Sequence, residues 1–101
     1  MMKAATKQTI KSVVDEAWQG EALNELKNYV RMPCKSKDFD VDWETNGFLL
    51  QVCRNAAAWG RRLFPEAVFE VLTEPVRTPA LFFDIPASGK DNEKAVFFYG
   101  H

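Results

Sequence analysis

Histidine is nearly missing from this sequence: one occurs, at position 101, the last of the 101 residues. No nucleophile and base can be assembled from what is present, since the sole imidazole is the terminal residue and has no evident orienting partner. Cysteine is scarce too, with Cys34 and Cys53 alone. The two are not spaced as a C-x-x-C pair and have no histidine near them, which excludes a zinc-finger or disulfide scaffold and reads as two reduced thiols of a cytoplasmic protein. No charge of one sign dominates. Thirteen Lys and Arg stand against fourteen Asp and Glu, for a net charge of -1, and apart from Arg61-Arg62 the basic residues are scattered singly. A nucleic-acid or anionic-membrane partner would favour a concentrated basic face, so neither is expected. Nowhere do eighteen apolar residues run together, and the opening "MMKAATKQTIKSVVDEAW" has no continuous apolar stretch, so neither a spanning helix nor a signal peptide is read.

What is present is the composition of one ordinary globular domain, 47% hydrophobic and 27% charged, at a length where a self-sufficient core is narrow. Ile10, Val13, Val14, Ala17 and Trp18 form the stripe of an amphipathic helix, with Thr9 placed to cap it and Gly20 to end it at about residue 19. A second stripe, Ala22, Leu23, Leu26, Tyr29 and Val30, stops before Pro33. The polar, acidic "CKSKDFDVDWETNG" reads as a loop with Asp42 capping a third helix. In that helix Phe48, Leu49, Val52, Cys53, Ala56, Trp59 and Leu63 keep the period until Pro65, and Gly47 and Gly60 weaken it. Residues 21–64 thus hold two further helices and the loop.

After Pro65 the period changes. "AVFEVLTE", "PALFFDIPA" and "KAVFFYG" predict three strands over residues 66–101, rich in Val, Phe and Ile. Their connectors are too short for a crossover helix, so adjacent strands should pair antiparallel. "LFFDI" and "VFFY" are apolar on both faces, the pattern of a sheet covered on both sides, and three helices do not easily cover two sides. The last strand also has an open aromatic edge, which finished proteins avoid. The expectation is a chain that stops partway through a larger α/β unit, with self-association through the last strand as its other way to shelter that edge.

The local motifs have plain readings. "DFDVDWE" starts like an EF-hand loop, but the positions that need glycine and glutamate hold Trp43 and Leu49. "SGKDNEK" lacks the upstream glycine of a phosphate loop and reads as a turn. Arg61-Arg62 complements the dipole at a helix end. Trp18, Trp43 and Trp59 read as core or loop anchors ahead of a stacking platform.

Taken in order, "ALNELKNYVRMPCKSKDFDVDWETNG", "AAAWGRRLFPEAVFEVLTEPVRTPALFFDIPASGK" and "AVFFYGH" resemble the amino-terminal part of the co-catalytic zinc exopeptidases. That family includes cytosolic dipeptidases, aminoacylases, glutamate carboxypeptidase and acetylornithine deacetylase. The resemblance runs from about Glu21 to His101, and the "FDVDWETNG" loop is most like the dipeptidase branch. It implies an α/β fold, with residues 1–101 forming the first part of a three-layer α/β/α catalytic domain: three helices and then three strands of a mixed sheet. It implies that His101 corresponds to the first zinc ligand of a His-x-Asp motif, whose aspartate would stand at position 103. No catalytic residue falls within the chain; the glutamate base and the remaining ligands lie downstream in the family, as does a lid-like domain that mediates dimerisation.

In such enzymes two zinc ions polarise the scissile carbonyl and lower the pKa of a shared water. The implied substrate is a dipeptide or an N-acyl amino acid. The isolated chain is expected to be inactive and to hold no zinc tightly, because one imidazole falls short of the three protein ligands of a catalytic zinc. The rival reading is a small non-catalytic α/β module that associates through an exposed strand edge.

Overall fold

In the computed structural model, residues 6–89 and 94–100 are described. They belong to two compact units, Met1–Phe48 and Leu49–His101.

The first unit opens with helix α1, Lys7–Ala17. Its cap is Thr6, whose hydroxyl accepts from the Thr9 amide at 3.1 Å, so the expected capping role of Thr9 passes to the residue one turn earlier. Thr9 instead supplies the amide, and its hydroxyl pairs with that of Thr6 at 2.8 Å. Gly20 does not end the helix. A π-helical turn, Trp18–Ala22, leads directly into α2, Leu23–Arg31, with the Leu23 amide reaching back to the Trp18 carbonyl.

The physical reason lies in the phase of the two stripes. At about 100° per residue, the stripe centred on Val14 and the one centred on Leu26 would sit roughly 120° apart on an uninterrupted α-helix. A π turn absorbs one extra residue, and so swings the second stripe back by roughly 100° toward the first. One helix with a bulge thereby does what the sequence suggested would take two helices and a break.

Past Arg31 the chain makes a short 3₁₀ turn at Lys37–Phe39 and a single helical turn, α3, at Trp43–Asn46. Gly47, at φ 71°, takes the left-handed position that closes α3, a conformation glycine reaches without steric cost.

The second unit joins a long helix to a hairpin. Helix α4 runs Phe48–Leu63, ending before Pro65 as its period predicted. Strands β1, Val68–Glu74, and β2, Arg77–Asp84, pair antiparallel, with Phe69 opposite Phe83, Val71 opposite Leu81 and Leu72 opposite Ala80. The turn is Pro75-Val76 alone. Pro75 presets the first turn position, while Val76 takes φ 70°, a left-handed conformation that is strained for a β-branched side chain. Between Leu72 and Glu74 the register slips, placing Thr78 and Pro79 opposite Thr73. An irregularity of this kind is where a strand tolerates a proline.

Together these elements give a mixed α/β chain in which helices precede an antiparallel two-stranded sheet. The third strand expected over "KAVFFYG" is not formed: Lys94–Gly100 carries no regular secondary structure. Its apolar composition matches that of β2, but strand geometry needs a hydrogen-bonding neighbour, and among the described residues β1 and β2 pair only with each other.

Candidate functional site

The acidic loop is the first place where charged groups converge, and its geometry is structural. The Asp40 carboxylate accepts from the Asp42 amide at 3.0 Å and from the Asn46 Nδ2 at 2.9 Å. Asn46 in turn accepts from the Phe48 amide through Oδ1 at 3.1 Å. Asp42 precedes α3 but makes no side-chain capping bond. The expected cap is therefore reassigned: Asp40 fixes the turn and Asn46 caps the start of α4, using the short side chains that accept from an amide two residues on. Asp38 falls in the 3₁₀ turn. The thiols of Cys34 and Cys53 are both partly buried, and neither forms a disulfide.

The hairpin is anchored to α4 at one point. Phe69, 9% exposed, lies over Gly60, where an added Cβ would stand 2.2 Å from the ring. Beside it Ala57 is fully buried, and the Phe83 ring stacks on Phe69 with centroids 5.7 Å apart. Arg61 completes the anchor by donating from Nη2 to the Phe69 carbonyl at 2.6 Å. Gly60, read from sequence as a weak spot in the helix, is thus the seat of the hairpin. An aromatic two residues into the strand that follows is the only hint the sequence offers. The indole Nε1 of Trp59 is enclosed without a hydrogen-bond partner among the described residues.

Burial alternates along the hairpin. Phe69, Val71 and Leu81 are buried or half-buried, while Val68, Leu72, Ala80 and Phe82 on the opposite face are exposed. That face is mixed: the apolar Val68, Leu72, Ala80 and Phe82 stand on it with the exposed carboxylates Glu70 and Asp84. Beyond β2, Val96, Phe97 and Phe98 are 78%, 85% and 78% exposed.

His101, the expected zinc ligand, lies outside the described residues. Among the described residues no group of three or more His, Cys, Asp or Glu side chains is placed to hold a metal ion. These residues therefore do not fit a zinc ion by themselves, and no catalytic step is derived through one. Among the same residues no helix is long and apolar enough to cross a membrane. In comparisons with known proteins, no family model matches the chain and no curated protein matches it.

Proposed function

We propose that the chain is the amino-terminal segment of a cytoplasmic zinc-dependent exopeptidase or amidohydrolase that cleaves dipeptides or N-acyl amino acids. The observation that carries this reading is the hairpin β1–β2. It occupies the segment "VFEVLTEPVRTPALFFD" on which the family resemblance rests, and it presents apolar residues on both faces where one helix meets only one of them. A sheet of that kind suits the middle layer of a three-layer α/β/α domain. In this reading "AVFFY" supplies the third strand and carries His101 to the carboxyl end of the sheet, where α/β folds gather their ligands. His101 provides one imidazole ligand, and the other metal ligands and the general base come from elsewhere.

The test is to express the reading frame that encodes this chain together with its genomic continuation. Chelator-sensitive hydrolysis of dipeptides or N-acyl amino acids is expected, with any residue and then aspartate directly after His101. The 101-residue chain alone should retain no zinc on dialysis and hydrolyse no peptide. One tightly held zinc per chain, lost in His101→Ala, would contradict that expectation.

A second reading has its own supporting observation. Residues 94–100 lie outside the sheet with their aromatic side chains exposed, which favours a non-catalytic module that recruits a partner strand. A native stop codon after His101 in a gene without metal-dependent hydrolase activity would favour it.

A further inference from the structure

We propose that Asn46 is a slow covalent switch: its side-chain amide is hydrolysed through attack by the Gly47 backbone nitrogen, and the product releases the acidic loop from the start of α4. The inference does not depend on zinc chemistry. Asparagine stands at positions 24, 28, 46, 55 and 92, and only Asn46 precedes a glycine. In such an attack the next residue's Cβ obstructs the approach of its nitrogen, and Gly47 has none. Nothing stands within 4 Å of the place that Cβ would take, and Asn46 is exposed to the water the reaction consumes.

Two hydrogen bonds hold the Asn46 side chain. The Phe48 amide donates to Oδ1 at 3.1 Å, which folds the side chain forward over the Gly47 peptide and brings Cγ toward the attacking nitrogen. The same amide stabilises the oxygen as it becomes anionic. The second bond, from Nδ2 to Asp40 at 2.9 Å, works the other way. Ring closure needs Asn46 to turn out of helical geometry, and α3 is one turn long, Trp43–Asn46. A helix of that length resists opening little by itself. The bond to Asp40 is therefore the brake.

In the reaction the Gly47 amide gives its proton to solvent as its nitrogen bonds to Cγ of Asn46. The bond from Cγ to Nδ2 then breaks, and Nδ2 takes a proton from water and leaves as ammonia. Water opens the resulting succinimide at Cγ or at the main-chain carbonyl, giving aspartate or isoaspartate. The sum is asparagine plus water to a carboxylic acid plus ammonia, with no change of oxidation state. Either product has lost the donor to Asp40, so a carboxylate faces a carboxylate and attraction turns to repulsion. In the aspartate product an oxygen still accepts from the Phe48 amide, and its charge suits the N-terminal end of α4. The loop is freed while the start of the helix is kept.

The decisive experiment holds the 101-residue chain at neutral pH for several weeks and follows each asparagine by peptide mapping and mass spectrometry. Two variants, Asp40→Ala and Asn46→Asp, are treated alike, each first shown by circular dichroism to keep the fold of the parent. Conversion at Asn46 should run at least ~10-fold faster than at Asn24, Asn28 or Asn55, which precede residues with a Cβ. Asp40→Ala should speed it several-fold further, the weight of one exposed hydrogen bond. Asn46→Asp should raise amide exchange over residues 40–45 and leave that over residues 48–52 unchanged. An Asn46 that converts no faster than Asn28 would overturn the proposal. So would an Asp40→Ala rate no higher than the parent's, or an Asn46→Asp loop that exchanges as slowly as the parent's.

Discussion

The two units of the chain are held together by different kinds of contact. Within Met1–Phe48 none of the described residues is fully buried, and side-chain hydrogen bonds there join residues close in sequence. They include the Thr6 cap, Lys11 Nζ to Asp15 at 2.6 Å, Arg31 to Asn28, and the Asp40–Asn46 turn. Within Leu49–His101 the determining contacts are tertiary: Phe69 on Gly60, Arg61 on the Phe69 carbonyl, and Phe83 on Phe69. Local bonds of the first kind are worth a few tenths of a kcal/mol to about 1 kcal/mol each. Burial of an aromatic ring is worth several times that. The first unit should therefore respond to helix propensity, and the second to volume.

Glycine-to-alanine substitution breaks the comparison most sharply, because the same chemical change should have opposite signs in the two units. Gly60→Ala places a methyl group inside the Phe69 ring and forces the hairpin off its seat, an overpacking cost of about 2–3 kcal/mol, read as a lower denaturation midpoint of the tertiary signal. Arg61→Met keeps the aliphatic stem and removes the donor to the Phe69 carbonyl. A loss of about 1.5 kcal/mol is expected by the same measurement, since the lost bond was charge-assisted and only part-buried.

Gly20→Ala, where an added Cβ meets nothing within 4 Å, should stabilise the Lys7–Arg31 helix by about 1 kcal/mol. The readout is increased helical circular dichroism with the hairpin signal unchanged. Thr6→Ala should do the reverse on a smaller scale, fraying the first turn at a cost of about 0.5–1 kcal/mol, seen as faster amide exchange over residues 7–10.

Much of the fold was legible before the structure. The apolar period of Phe48–Leu63 and the proline after it set α4, and the change to strand-like composition after Pro65 located both strands of the hairpin and their antiparallel pairing. The π turn was hidden because two stripes out of phase look like two helices, and a glycine between them looks like a stop. Capping was misassigned twice for one reason: Thr6 and Thr9, or Asp40, Asp42 and Asn46, are chemically equivalent candidates, and only backbone geometry chooses among them. "AVFFYG" has the composition of a strand, but a strand is a property of a pair, and pairing is not written in one segment. Of the candidate site, the resemblance singled out His101 alone, and among the described residues no group of three or more His, Cys, Asp or Glu side chains is placed to hold a metal ion.

The central claim is that this chain begins a zinc exopeptidase, and zinc-dependent hydrolysis by the continued reading frame tests it most directly. A purified product of that frame should cleave a dipeptide or an N-acyl amino acid, lose the activity to a chelator, regain it with zinc, and lose it again in His101→Ala. A continued product whose activity is unaffected by that substitution, or which folds and shows no metal-dependent hydrolysis of either substrate class, would contradict the claim.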